Sequence, residues 1–134
     1  MSGYSGTPLP KKLGIKAESK VVLISAPEGF DETLGPLPED VRLMTRLGRN
    51  ADVIIFFATS TAALTKRLDR LIEGLAVAGG LWIAWPKKAS GVNTDVTEDV
   101  LRTVILPTGL VDNKVCAIDE TWSGLRFVRR RENR

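Results

Sequence analysis

Three short runs in this chain are apolar at every position: Val21-Val22-Leu23-Ile24, Val53-Ile54-Ile55-Phe56-Phe57 and Leu81-Trp82-Ile83-Ala84-Trp85. Unbroken runs of this length suit strands buried on both faces, the habit of parallel sheets covered by helices. Between the second and third runs, Leu64, Leu68, Leu71, Ile72 and Leu75 recur at helical spacing and form one apolar stripe. The stripe predicts a helix over 61–77, with Ser60 or Thr61 as N-cap and Gly79-Gly80 as the stop before the next strand. Strand, amphipathic helix and buried strand make a βαβ unit, whose crossover is right-handed in nearly all cases. Trp82 is expected in the core and is assigned the same strand face as Trp85.

The flanking pattern extends this unit in both directions. Thr7-Pro8 reads as N-cap and first position of a short helix that runs through Leu13 and stops at Gly14. Residues 27–40, with three prolines and two glycines, read as loop. Val41 to Leu47 alternates in polarity and is read as a short edge strand in preference to a helical turn. A further helix is expected to start near Thr94 or Asp95, where Asp95 and Glu98 have capping-box spacing. Its apolar face would be Val96, Val100, Leu101 and Val104. Lys114 to Ile118 is the next strand, Trp122-Ser123-Gly124 a turn, and Leu125 to Val128 an antiparallel return. The fold class that follows is α/β: a three-layer, mostly parallel, Rossmann-like sheet with a C-terminal antiparallel hairpin. The strands 21–24, 53–57, 81–85 and 114–118 are expected to point the same way. At 134 residues the chain is read as a single domain, with a mobile Gly/Ser-rich stretch at 1–6 and a basic tail at 129–134.

Composition narrows the chemistry more than the fold. The chain has no histidine and one cysteine, so the usual general base, the usual structural zinc sites and an internal disulfide are all excluded; no metal site is expected. Cys116, among Val115, Ala117 and Ile118, reads as a small buried hydrophobe. No apolar run approaches the roughly 20 residues of a membrane span. The start, MSGYSGTPLPKK, lacks the apolar core of a signal peptide, so a soluble, cytoplasmic protein without a membrane partner is expected. The net charge is +3, yet residues 126–134 alone carry about +4, so the basic pI is largely a property of the tail.

A series of alternating strands and helices closed by an antiparallel hairpin resembles the S-adenosylmethionine methyltransferase fold. So does the opening Leu13-Gly14-Ile15-Lys16 ahead of a buried strand. The cofactor loop of that superfamily is missing, however. Its first strand ends in an acid and a G-x-G-x-G-like turn that lets the backbone approach the ligand closely. Here the strand runs into Ile24-Ser25-Ala26-Pro27-Glu28-Gly29, with one glycine and a proline. Thr45-Arg46-Leu47-Gly48 follows the second strand, with no acid to hold a ribose. There is no Rossmann fingerprint and no P-loop, and no cofactor is expected. Four segments resemble a small bacterial family known only as a domain of unknown function: Gly3-Tyr4-Ser5-Gly6, Ala26-Pro27-Glu28-Gly29-Phe30, Trp85-Pro86-Lys87-Lys88-Ala89-Ser90-Gly91, and the stretch from Val115 to Val128. That resemblance covers nearly the whole chain and implies no activity and no functional residue.

In open α/β sheets, ligands bind outside the carboxyl ends of the strands. That edge should gather Ser25 to Gly29, Thr59-Ser60-Thr61, Trp85 to Gly91 and Asp119 to Trp122. Lys87, Lys88, Ser90 and Gly91, with the helix start at Ser60 and Thr61, form the expected anion site. Trp85 and Trp122 are its candidate walls, and Glu28, Asp119 and Glu120 are the available carboxylates. Each has a structural alternative: a solvated loop, a helix cap, a turn or a surface pair. No catalytic residue is assigned. Three readings stay open in this order: a non-catalytic binding or regulatory module whose partner is a protein or an unknown ligand; an enzyme or binding protein acting on a small anionic ligand; and a nucleic-acid-associated protein using the arginine tail.

Overall fold

The computed structural model describes residues 6–134; the mobility expected of residues 1–5, and most of the Gly3–Gly6 motif, lie outside the described residues. The strands are β1 Lys20–Ile24, β2 Arg42–Met44, β3 Ala51–Phe57, β4 Leu75–Pro86, β5 Leu110–Ala117 and β6 Trp122–Arg129. The helices are α1 Leu9–Lys12, α2 Phe30–Leu34, α3 Thr61–Gly74 and α4 Glu98–Ile105. Among the described residues the strands make one six-stranded sheet in the order β2-β1-β3-β4-β6-β5. β1 pairs in parallel with β2 and β3, and β3 in parallel with β4. β6 lies antiparallel between β4 and β5, so β5 points the same way as β4.

Successive residues of a strand face opposite ways, and the wholly apolar runs therefore feed two cores. On one face Ile54, Phe56, Leu81 and Ile83 meet Leu64, Leu68 and Leu71 of α3 and Leu101 and Ile105 of α4. On the other, Val53, Ile55, Phe57 and Trp82 meet Leu13, at the end of α1, and Phe30 and Leu34 of α2. Burying each such side chain contributes roughly 1.5–3 kcal/mol, which is what makes three layers out of short helices. Phe30, Phe57 and Trp122 stack edge to face, with centroids 4.8 and 5.1 Å apart. Trp82 is fully buried, and its indole N–H donates to the carbonyl of Leu13 at 2.9 Å, tying β4 to the end of α1.

Several boundaries differ from expectation. Pro8 stands at the N-cap of α1, and the helix proper begins at Leu9. The 27–40 segment is not all loop: Phe30 and Leu34, one helical turn apart, bury together between Gly29 and Gly35, both at positive φ. α3 ends at Gly74, not near 77, and Leu75 already pairs with Ala51. Gly79-Gly80 is therefore no helix stop. The pair lies within β4, at the end of the register shift between Leu75 and Gly80. A Cβ at Gly79 would sit 2.8 Å from the Ala51 carbonyl, and one at Gly80 would run into the Arg126 guanidinium. Those glycines exist for close approach, not for capping. Trp122-Ser123-Gly124 is strand, not turn, because it pairs with Ala84, Trp85 and Pro86.

α4 starts later than expected, at Glu98, capped by Thr97, whose hydroxyl accepts from the Val100 N–H at 3.1 Å. Val96 is buried but precedes the helix. Asp95 does not cap α4; its carboxylate accepts from the N–H of Thr61, the first residue of α3, at 2.8 Å. α4 is fastened to β5 by Arg102, whose guanidinium reaches Glu98 at 2.7 Å, Asp112 at 3.2 Å and Asp99 at 3.7 Å. Hydrogen bonds to Glu98 and Asp112 hold its pKa above the ordinary arginine value. Among the described residues, no helix is long and apolar enough to cross a membrane.

Candidate functional site

At the carboxyl ends of β3 and β4 the polar side chains bind the backbone of their own or neighbouring loops. Ser60 caps α3, its hydroxyl accepting from the Ala63 N–H at 3.1 Å. The Thr94 hydroxyl donates to the Thr59 carbonyl at 2.7 Å, so two polar contacts (Thr94 to Thr59, Asp95 to Thr61) pin the 92–97 loop to the start of α3. Beyond β4, the Lys87 ammonium donates to the backbone carbonyl of Asp119 at 2.7 Å, and the Lys87 N–H donates to the Thr121 carbonyl. The Asp119 carboxylate accepts from the N–H groups of Thr121 and Trp122, both at 2.8 Å, and shapes the β5–β6 turn. Ser90 donates to the Lys87 carbonyl at 2.6 Å and accepts from Val92. Lys87 and Asp119 thus do come together, as a loop staple and not as an acid beside a base.

Part of the expected set lines a cleft of about 790 Å³ between the β4–α4 connection and the start of α4. Trp85, Pro86, Val92 and Val96 supply its apolar lining, with Lys88 and Glu98 at its edges. Lys88 is exposed, whereas Glu98 is already engaged by Arg102. Ser60, Thr61 and Asp119 do not line this cleft, and neither does Glu28, exposed in the loop after β1. The two tryptophans expected to share a face do not. Trp82 and Trp85 are three residues apart, an odd separation, and they belong to opposite cores. Trp122 likewise packs on Phe57 in the core opposite Trp85, so these two wall no common pocket.

The loop after β1 carries the least relaxed backbone of this edge. Ser25 has φ +60°, a region that costs a non-glycine residue energy, and Gly29 follows at φ +81° as the N-cap of α2. Among the described residues no group of three His, Cys, Asp or Glu side chains stands ready for a metal ion.

The arginine tail is partly taken into the fold. Arg129 donates to the carbonyls of Ile72 at 2.9 Å, Leu75 at 3.2 Å and Ala76 at 2.8 Å, closing the carboxyl end of α3. Arg126 is half-buried over Gly80, and burial, with Arg134 nearby, lowers its pKa from the ordinary arginine value. A group of cations that sequence reading passed over lies elsewhere. Arg46, Lys66, Arg67 and Arg70 line a cleft of about 660 Å³ beside α3, at the end of β2. The 66/70 and 67/70 spacings on one helix were the available signal; Arg46 joins them only through the topology.

With its parallel core, two helical layers and antiparallel β6, the chain has the methyltransferase-like variant of the Rossmann fold. It is similar to a SAM-dependent methyltransferase from Aquifex aeolicus, at 14% identity over 87% of this chain and 85% of that one, with a TM-score of 0.61. It is also similar to the N-methyltransferase NodS from Bradyrhizobium japonicum, at 18% identity over 89% and 82% of the two chains, TM-score 0.58. A third is the fibrillarin pre-rRNA processing protein of Methanococcus jannaschii, at 12% identity over 92% and 69%, TM-score 0.57. No family model matches the chain, and no curated protein matches it. At these identities the likeness establishes the fold.

The cofactor implied by that fold does not fit the residues present. The end of β2 offers Thr45 and Arg46, beside three further cations, where a carboxylate would be needed to accept from the ribose hydroxyls of S-adenosylmethionine. Pro27, in the loop after β1, has no N–H to offer a ligand.

Proposed function

We propose that this chain is a small non-catalytic binding or regulatory module on a methyltransferase-like scaffold. One observation carries the reading: at the edge where this fold takes its ligands, Ser60, Lys87, Ser90, Asp95 and Asp119 are committed to loops and caps. A side chain that must hold a turn is poorly placed to move protons. Calorimetric titration with S-adenosylmethionine tests it directly. The expected result is no saturable heat at micromolar concentrations, and micromolar binding would sink the proposal.

A second reading is favoured by the cleft at Trp85, Lys88 and Gly91: a small anionic ligand held there. Lys88 is its exposed cation, and the neighbouring carboxylate, Glu98, is paired with Arg102. Lys88→Ala is the clean probe, because Lys87→Ala also removes the bond to Asp119, a loss of about 1 kcal/mol. In a thermal-shift screen of small phosphates and carboxylates, a hit that stabilises the wild type should fail to stabilise Lys88→Ala. A hit retained in full by the variant places the site elsewhere.

A further inference from the structure

The basic cleft beside α3 is not explained by the fold. Arg46, Lys66, Arg67 and Arg70 are all exposed, and no carboxylate lines the cleft they form. Among the described residues every ion pair belongs to Arg102, so none of these four is neutralised by a neighbour within ion-pair distance. A second cleft, of about 740 Å³, shares Arg70 and Leu47 with the first and continues to Gly74, adding Arg49 and one carboxylate, Glu73. Together they make a groove along α3 from Lys66 to Gly74, about 12 Å at 1.5 Å per residue. That length spans a few successive phosphates, which recur at about 3.4 Å along the axis of a stacked strand and farther apart in an extended one.

Holding four like charges together without a counter-charge at ion-pair distance is unfavourable and is relieved by an anion. Guanidinium groups favour phosphate, whose oxygens they meet in pairs. The groove has no aromatic lining on which a base would stack. We infer that this groove binds a chain of phosphates through its backbone charge, as single-stranded nucleic acid or inorganic polyphosphate presents it. The site is separate from the cleft at Lys88, so a catalytic role there would leave it standing.

Fluorescence anisotropy of a labelled single-stranded oligouridylate, competed with tripolyphosphate, tests it on the full chain. Binding at about 50 mM salt should weaken toward about 200 mM, with a log–log slope near −2 to −3 for three to four neutralised phosphates. Arg67→Glu with Arg70→Glu should weaken binding by at least about tenfold and flatten the slope, while circular dichroism and the thermal midpoint confirm folding. If that pair fails to fold, Arg46→Ala with Lys66→Ala serves in its place. The tail variant Arg130→Ala with Arg131→Ala should bind within about twofold of wild type. Displacement by tripolyphosphate at concentrations matching the oligonucleotide identifies free polyphosphate as the source; a strong preference for the oligonucleotide identifies nucleic acid. Absence of saturable binding to both overturns the inference. So does equal affinity for polyglutamate, or a loss in the tail variant as large as that in the groove variant.

Discussion

At the scale of single residues, the most consequential polar side chain is Arg129. Its guanidinium supplies three hydrogen bonds to carbonyls at the end of α3 and the start of β4, and so ties the last turn of α3 to the chain where helix gives way to strand. Arg129→Ala should destabilise the protein by about 1–3 kcal/mol in urea unfolding. Arg130→Ala and Arg131→Ala, both exposed, should stay within about 0.5 kcal/mol. Cys116 makes the complementary case. Burial raises its thiol pKa, with Lys12, Lys114 and Lys87 pulling weakly the other way. A raised pKa means the folded state favours the neutral thiol. The associated stability is complete below the ordinary thiol pKa of about 8.5 and is lost as pH rises through the folded value. At neutral pH, iodoacetamide should therefore modify native Cys116 more slowly than the unfolded chain. Equal rates would contradict its burial.

At the scale of elements, the start of α3 is the joint that holds the carboxyl edge together. Ser60 serves the Ala63 N–H, and Asp95 serves the Thr61 N–H from another loop. Ser60→Ala and Asp95→Ala should each cost about 1 kcal/mol, read as a lower urea midpoint at unchanged slope. The Ser60 cap was visible in the chain because capping acts within one turn of helix. The Asp95 bond was not, because its partner lies 34 residues away and the local spacing to Glu98 imitates a capping box.

At the scale of the whole molecule, the sheet is uneven. β3 and β4 are flanked on both sides by strands and covered by both cores, while β2 is three exposed residues on one edge. Native-state hydrogen exchange should accordingly be slowest in β1, β3 and β4 and fastest, among strands, in β2. Slow exchange in β2 under native conditions would mean that something covers that edge in solution.

The chain by itself determined the elements whose cause is local. Unbroken apolar runs can be satisfied only by burial on both faces, and the Leu64–Leu68–Leu71 stripe only by a helix lying on a sheet, so three layers follow. Trp82 belonged to the core on the same grounds. Tertiary structure decided whatever depends on a distant partner. α3 stops at Gly74 because Leu75 is already extended and paired with Ala51 in the sheet, and position 74 is glycine because a Cβ there would press on Leu47 and the Gly48 carbonyl. Lys87 turns to the Asp119 carbonyl 32 residues on, which removes it from the expected anion site. Arg46 joins Lys66, Arg67 and Arg70 only once β2 is laid beside β1 and the 45–50 segment crosses toward α3. Periodicity and capping reach a few residues along the chain. The ends of long polar side chains reach whatever the topology puts beside them, and the candidate sites of this protein are made of those.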